Sequence, residues 1–191
     1  MKELSLTEKK KVMSMNKIVR DSLHYFEKNG YYNTSVDKLC EEAMISRNTF
    51  FNYFGNKEKV IKLIMEDGLQ DLKDVIGSVD IMSEEDPVEC LMKILVFQLK
   101  ATKKYKNTTF VFYRMMMEDE ECCRIKNSFD EEIAILVEQI QERLEFKNKQ
   151  SRQWIKNVFG GAFLDIVILT PEEDWEKSVR ETIGGVIEMM K

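Results

Sequence analysis

Polar side chains that can form hydrogen bonds with base edges gather in the short stretch 46–54. A guanidinium group, here Arg47, can donate two parallel hydrogen bonds to guanine, and a carboxamide, here Asn48 or Asn52, can pair with adenine. A threonine hydroxyl, here Thr49, can contact a phosphate or a thymine methyl group. From residue types and spacing alone, two interpretations stay open: a helix that contacts DNA bases, or an ordinary solvated surface helix.

The residues around this stretch predict two short helices joined by a tight turn. Thr34 precedes Asp37 by three residues, a capping-box pattern that predicts a helix beginning at this threonine. The apolar period then breaks at Met44, and Ser46 offers a second N-cap. The second helix is expected to turn three aromatic side chains inward, namely Phe50, Phe51 and Phe54. So short a helix must be fixed by the rest of the protein, which is the arrangement of a helix-turn-helix.

A longer run extends this pattern, from Gly30 to Ile61: GYYNTSVDKLCEEAMISRNTFFNYFGNKEKVI, with Ile18 and Phe26 upstream. It resembles the DNA-binding domain of TetR-type (tetracycline-repressor-like) transcriptional regulators, over about a quarter to a third of the chain. The resemblance implies contacts with bases near Arg47, Asn48 and Asn52, and contacts with the DNA backbone near Thr49, Tyr53 and Lys57.

Two residues depart from the family pattern. Met44 stands where the family usually has glycine, and Phe51 stands where it usually has tyrosine. A methionine forced into the left-handed conformation costs about 1 kcal/mol, so a slightly rebuilt turn is expected. Phenylalanine lacks the hydroxyl group of tyrosine, which removes one phosphate contact. With the outer face of this region added, the predicted DNA-binding residues are Thr34, Ser35, Ser46, Arg47, Asn48, Thr49, Asn52, Tyr53 and Lys57.

Charge is divided unevenly along the chain. Residues 1–60 carry eleven Lys/Arg and eight Asp/Glu, a net charge of +3, whereas the other residues carry eighteen and twenty-six, a net charge of −8. The basic end contains the predicted helix-turn-helix, so it is attracted to phosphates while the acidic remainder is repelled. This modest excess permits binding to nucleic acid, and the family resemblance makes double-stranded DNA the expected partner.

Composition and motifs also indicate the fold class, the cellular compartment and the absence of enzymatic activity. Glycine and proline are scarce, which favours an all-α fold. Since no apolar run approaches about 18 residues and no signal-peptide core is present, we expect a cytoplasmic protein with no membrane partner. The four cysteines, including Cys122 and Cys123, have no metal-type spacing and are expected to be reduced thiols. The motifs of common hydrolases and nucleotide-binding enzymes are absent, so we expect no enzymatic activity, no cofactor and no metal.

The remaining chain predicts a larger helical domain at residues 57–191, after a DNA-binding domain at residues 1–56. A long helix is expected from Lys57 to about Val79, followed by a loop at 80–86 and a helix start at Asp86-Pro87. The acidic residues 118–121 are expected to lie in water at the end of a helix or turn. Thr170-Pro171 predicts the beginning of the last helix.

A tract rich in methionine and aromatic residues between Tyr105 and Met117 suggests a pocket for a small ligand. The predicted pocket residues are Phe97, Phe110, Tyr113, Met116 and Trp154. Apolar stripes at helical spacing need no ligand to explain them, so a filled core accounts for the same residues.

The last two helices have surplus apolar faces, which predicts a homodimer that presents two recognition helices to a palindromic operator. The predicted interface consists of Phe159, Phe163, Trp175, Val179, Ile183 and Val186. Paired glycines at 160–161 and 184–185 suggest close backbone approach.

Together, these features predict a repressor that a small, mostly apolar effector of unknown identity releases from DNA, the mechanism that the family resemblance implies. The alternative is an all-helical dimeric scaffold without DNA-binding activity.

Overall fold

The computed structural model describes residues 5–191, which form nine α-helices, one 3-10 turn and no β-strand. The helices are α1 (Leu6–Asn29), α2 (Val36–Ala43), α3 (Arg47–Phe54), α4 (Lys57–Gly77), α5 (Pro87–Lys104), α6 (Lys106–Met115), α7 (Glu120–Arg143), α8 (Arg152–Leu169) and α9 (Trp175–Met190). The predicted all-α fold, with a three-helix DNA-binding region followed by a larger helical part, is confirmed.

The chain packs as two compact units. The first contains the residues up to Asp67 together with Tyr105–Cys122, and the second contains Gly68–Lys104 together with Cys123–Lys191. Helices α4 and α7 each contribute residues to both units. The predicted domain boundary at 56/57 stays a prediction. Residues 1–4 of the predicted DNA-binding domain lie outside the described part of the chain.

The first unit is centred on buried side chains from α1, α2 and α3. Its core residues include Ile18, Val19, Phe26, Leu39, Phe50 and Phe54. Helix α1 packs against α2 and also against α6. The methionine and aromatic tract that contains α6 therefore belongs with the DNA-binding helices.

Helix α6 is capped by a side chain from another helix. No side chain at its own N-cap residue, Tyr105, forms a capping hydrogen bond. Instead, the Glu27 carboxylate of α1 accepts from the N–H groups of Asn107 (3.1 Å) and Thr108 (2.8 Å) and from the Thr108 hydroxyl (2.5 Å). A carboxylate satisfies free N–H groups at a helix N-terminus and is favoured by the helix dipole. Glu27 therefore fastens α6 to α1.

The beginning of α7 is fixed by ionic contacts within the first unit. The Asp119 carboxylate accepts from the Glu121 and Cys122 N–H groups at 2.9 and 3.0 Å. The buried Lys62 ammonium of α4 donates to Asp119 at 2.6 Å and to Glu121 at 2.7 Å. The hydrogen bond from Lys62 is the main reason that the pKa of Asp119 falls to about 2. The expectation of a solvated acidic end was therefore wrong for these two carboxylates.

The second unit contains α9 packed against α5 and α8. The indole N–H of Trp175 donates to the Thr170 carbonyl at 2.8 Å, which closes the connection between α8 and α9. Pro171 precedes a 3-10 turn, Glu172–Asp174, and α9 begins only at Trp175. The predicted helix start at Thr170-Pro171 was wrong because this tighter turn intervenes.

Candidate nucleic-acid interface

The turn between α2 and α3 is built on a left-handed methionine. Met44 has φ 53° and ψ 45°, and its N–H donates to the Glu41 carbonyl at 3.1 Å, while the Ile45 N–H donates to the Cys40 carbonyl at 2.9 Å. These bonds satisfy the last carbonyls of α2. The Met44 side chain is 86% exposed, so no packing offsets the strain of about 1–2 kcal/mol. Methionine itself thus takes the conformation that favours glycine.

Helix α3 is held in place by two aromatic rings on its inward face. Phe50 and Phe54 are buried, with ring centroids 5.0 Å apart. At the N-terminus, the Ser46 hydroxyl accepts from the Thr49 N–H at 3.1 Å and lies 2.9 Å from the Thr49 hydroxyl. The predicted place of Phe51 in the inward stripe was wrong, because its ring is 43% exposed.

The outward face of α3 carries Arg47, Asn48 and Asn52, all exposed. The Arg47 guanidinium lies 3.0 Å from the Asp37 carboxylate of α2, and both side chains are more than 60% exposed. An exposed pair of this kind contributes only about 0–1 kcal/mol, so a base or phosphate can replace Asp37 as the partner of Arg47. The sequence pattern gave no sign of this pairing, because the two residues belong to different helices.

Thr34 and Lys57 face inward rather than toward DNA. Thr34 is 2% exposed and its hydroxyl donates to the Gly30 carbonyl at 2.9 Å. The N-cap of α2 is Ser35, whose hydroxyl accepts from the Lys38 N–H at 3.1 Å, so the predicted capping role of Thr34 was wrong. Because its hydroxyl is used internally, Thr34 is not positioned to bind a phosphate.

The Lys57 ammonium donates to the carbonyls of Tyr31 and Thr34 at 2.8 and 3.0 Å, and lies 4.0 Å from the centroid of the Tyr31 ring. Burial lowers the pKa of Lys57. The Tyr31 hydroxyl in turn donates to Glu58 at 3.1 Å. These contacts connect the start of α4 to the segment before α2. In this conformation the Lys57 ammonium binds backbone carbonyls in place of the predicted phosphate.

Tyr53, on the side of α3, is half-buried and lies beside the N-terminal part of α1. The Lys11 ammonium is 5.5 Å from the centroid of the Tyr53 ring, a distance at which a cation and an aromatic face attract. Lys11 belongs to the basic run 9–11. The fold therefore places positive charge from α1 next to the recognition helix.

The five residues predicted to line a ligand pocket fall in both units. Phe110, Tyr113 and Met116 are half-buried in the first unit, whereas Phe97 and Trp154 are partly exposed in the second. Phe97 lines a groove beside the end of α4. The ligand pocket stays a prediction.

The six residues predicted to form a dimer interface are buried inside the second unit, none of them more than 9% exposed. These residues lie on α8 and α9, and other parts of the same chain cover them. They cannot also contact a partner, so that assignment was wrong. The exposed face of these helices instead carries Trp154, Gly161, Ile168, Leu169, Gly185 and Met189.

No helix among residues 5–191 is long and apolar enough to cross a bilayer. No group of three or more His, Cys, Asp or Glu side chains in this part of the chain is arranged to hold a metal ion.

Two short helices, a tight turn and an outward polar face on the second helix define a helix-turn-helix DNA-binding protein. Residues 18–64 match the family described as "Bacterial regulatory proteins, tetR family". Residues 18–64 therefore form a DNA-binding domain of the TetR family of transcriptional regulators.

Several known proteins are similar to this chain. Over 67 residues, 35% of this chain, it is 31% identical to the HTH-type dhaKLM operon transcriptional activator DhaS of Lactococcus lactis subsp. lactis (strain IL1403). That match spans only 36% of the relative's own length.

Among solved structures, the Thermus thermophilus TetR-family repressor FadR, in complex with lauroyl-CoA, has a TM-score of 0.74 at 19% identity, covering 93% of this chain and 95% of its own. A TetR-family protein from Syntrophomonas wolfei str. Goettingen has a TM-score of 0.68 at 20% identity, covering 91% and 94%. Identities this low show a shared fold.

Proposed function

We propose that the chain is a homodimeric, cytoplasmic repressor that uses α3 to recognise a palindromic operator and is released by a small, mostly apolar ligand. The observation that carries this proposal is the exposed face of α3, where Arg47, Asn48 and Asn52 project from a helix held rigidly by Phe50 and Phe54. Rigid support matters because each base contact requires a hydrogen bond of defined geometry.

The proposed roles follow from exposure. Arg47, Asn48 and Asn52 contact base edges, while Thr49, Tyr53 and the N-terminal ends of the two helices, at Ser35 and Ser46, contact phosphates. Thr34 and Lys57 hold the recognition unit together instead, because their polar atoms are used by backbone groups.

Selection of bound sequences from a random pool of DNA duplexes tests this assignment. Arg47→Ala should relax the preference at one base pair of each half-site by about 1–3 kcal/mol. Tyr53→Phe, which removes only a hydroxyl group, should weaken all sequences alike and leave the selected motif unchanged. An unchanged motif with Arg47→Ala would contradict base recognition, and failure of the wild type to enrich any sequence would favour the helical scaffold.

The proposed dimer uses the exposed faces of α8 and α9. A Cβ atom at Gly161 or Gly185 would meet no other side chain or distant backbone of residues 5–191 within 4 Å, so no contact in this part of the chain requires glycine there. Glycine costs about 1 kcal/mol relative to alanine in a helix interior. Close approach of a second copy supplies a reason for both glycines, and Ile168 and Met189 supply apolar contact area.

Sedimentation equilibrium tests this interface at micromolar concentration. Ile168→Arg should convert the dimer to a monomer, because a charge buried at the interface lacks a partner. Met82→Arg is the matched control, since Met82 is exposed at 52% and lies in the loop before α5. A dimer that withstands Ile168→Arg, or a wild-type monomer, would refute the proposed interface.

Release by a ligand is supported by the course of α4, which begins beside Tyr31 in the DNA-binding region and continues into the second unit. A ligand that shifts the distal part of α4 is expected to rotate the two recognition helices out of register. The similar fold of a repressor solved with lauroyl-CoA supports a mostly apolar ligand. To move the DNA-bound population from 99:1 to 1:99, the ligand must favour the released state about 10⁴-fold. A ligand that binds tightly but leaves DNA affinity unchanged would refute this part of the proposal.

A further inference from the structure

A groove of about 570 Å³ lies in the second unit between the end of α4, the loop that follows it and the first turns of α5. This volume falls in the range of about 300–1,000 Å³ that is typical of sites for small organic molecules. The groove thus has the size of a ligand site, and the chemistry of its walls indicates the class of ligand.

The floor of the groove is apolar. Val75 from the end of α4, Val79 just after that helix, and Ile94 and Phe97 from α5 line it. The Phe97 ring is 41% exposed, so much of its apolar surface is in contact with water. A hydrophobic group of a ligand can cover this ring and remove it from water.

The rim of the groove is acidic. Glu84, Glu85, Asp86 and Glu89 line it, against a single amine, that of Lys93. Asp86 caps α5, because its carboxylate accepts from the Glu89 N–H at 2.9 Å. The Glu89 carboxylate accepts from Arg180 at 3.0 Å, so part of its charge is balanced.

Glu84 and Glu85 lie on a loop that is held in place through its backbone. The Arg143 guanidinium at the end of α7 donates to the carbonyls of Ile81 (2.6 Å) and Glu84. The Met82 N–H also donates to the Asp80 carboxylate at 3.1 Å. These contacts hold the acidic rim in place in the absence of a ligand, so binding requires little ordering of the loop.

The remaining lining group is a thiol. Burial raises the pKa of Cys90, and the nearby Glu84 carboxylate adds to the effect. The thiol is therefore neutral at physiological pH and contributes apolar surface rather than charge.

From the acidic rim above an apolar floor, we infer that this groove binds an amphipathic organic cation, with its charged group beside Glu84 and Glu85 and its hydrophobic group on Phe97. The regulatory consequence rests on the proposed function: Val75 belongs to the last turn of α4 and Val79 closely follows that helix, at the end whose displacement is proposed to release DNA.

A pair of probes of matched shape and opposite charge tests the site. Tetraphenylphosphonium and tetraphenylborate have the same four phenyl groups, so a difference in their affinities for the full chain reports charge alone. By isothermal titration calorimetry, the cation should bind at least about tenfold more tightly than the anion. Equal affinities, or no binding of the cation up to millimolar concentration, would overturn the inference.

Variants then locate the site. The double variant Glu84→Gln/Glu85→Gln should weaken cation binding by about tenfold, and Phe97→Ala should weaken it through the loss of apolar contact. The control double variant Glu118→Gln/Glu173→Gln loses the same two charges away from the groove and should bind the cation like the wild type. Equal losses in the two double variants would show that net charge, not the groove, attracts the cation, and would overturn the assignment.

The DNA readout is kept separate from the binding readout. DNA affinity without any probe tests the proposed function, and calorimetry without DNA tests the groove, so either one can fail alone. If both hold, the cation should lower DNA affinity in the wild type and in the control double variant, and not in Glu84→Gln/Glu85→Gln at the same cation concentration.

Discussion

Replacing Gly160 with alanine should destabilise the folded chain, whereas the same replacement at its neighbour Gly161 should stabilise the single chain, although it should weaken the proposed dimer. A Cβ atom at Gly160 would lie 2.6 Å from an Asp130 carboxylate oxygen, closer than unbonded atoms can approach. At Gly161, a Cβ atom would have no neighbour within 4 Å in the chain. Two adjacent residues of α8 therefore make opposite predictions for one chemical change.

The expected magnitudes combine two effects. Alanine is favoured over glycine in a helix interior by about 1 kcal/mol, and this gain applies at both positions. At Gly160, the added methyl group must displace Asp130, whose carboxylate is held by the Lys126 ammonium at 2.5 and 2.6 Å in a mostly buried pair. Overpacking costs about 1–3 kcal/mol, and breaking a buried ion pair costs about 3–5 kcal/mol. With the helix gain of about 1 kcal/mol subtracted, the free energy of unfolding should fall by about 0–2 kcal/mol for Gly160→Ala if overpacking is the whole cost, and by about 2–4 kcal/mol if the ion pair breaks. It should rise by about 1 kcal/mol for Gly161→Ala.

Urea unfolding at several protein concentrations provides the assay. The Gly160→Ala effect arises within one chain, so it should not change with concentration, whereas an effect of Gly161→Ala on dimerisation should. In an Asp130→Ala background, the cost of Gly160→Ala should disappear, because the methyl group then has room. Gly160→Ala at least as stable as Gly161→Ala, or a cost that persists without Asp130, would refute the reasoning.

Three further changes test other contacts. Met44→Gly should raise the free energy of unfolding by about 0.5–1 kcal/mol, since glycine relieves the left-handed strain and the exposed methionine loses no packing. Glu27→Gln should lower it by about 1–2 kcal/mol through the loss of the α6 cap, while Glu118→Gln should have little effect. Because the pKa of Asp119 falls from 3.8 to about 2 on folding, its stabilising contribution is complete above pH 4 and is lost as the pH drops toward 2; wild type and Asp119→Asn should converge there.

The outcomes that contradict these three predictions are distinct. A less stable Met44→Gly would mean that the methionine side chain makes a contact that outweighs its strain. Equal losses of unfolding free energy in Glu27→Gln and Glu118→Gln, measured by urea unfolding at pH 7, would show that net charge and not the α6 cap causes the effect. A constant difference between wild type and Asp119→Asn from pH 6 to pH 2.5 would exclude the ion pair as the cause.

Local patterns predicted the helices well because apolar period and capping residues act within a few residues of each other. The periods in the sequence correctly indicated an all-α chain, and Ser46 was correctly predicted as the N-cap of α3. The prediction of Thr34 as the N-cap of α2 was wrong, since its hydroxyl donates to the Gly30 carbonyl and its own carbonyl accepts from the Lys57 ammonium. The contact with Lys57 joins residues 23 positions apart, and the spacing of residue types along the sequence does not show such contacts.

The interface residues illustrate a second limit. An apolar stripe shows that one face of a helix is covered, but it does not show what covers it. Val179 and Ile183 were assigned to a partner, yet α5 and α8 of the same chain bury them. The glycine pairs carried the missing information only once the fold showed that Gly160 faces Asp130 and Gly161 faces outward.

The first unit is assembled from two segments separated by the 37 residues Gly68–Lys104, and this order matters during synthesis on the ribosome. Until Thr108 and Phe112 of α6 have emerged, Glu27 lacks the amides that it caps, and the face of α1 that packs against α6 is exposed to water. The DNA-binding unit should therefore reach its final packing only after the 37 residues Gly68–Lys104 of the second unit have been made. A fragment that ends at Asp67 is expected to be less cooperative in unfolding than the full chain, and a nascent chain of that length should not yet be able to occupy an operator.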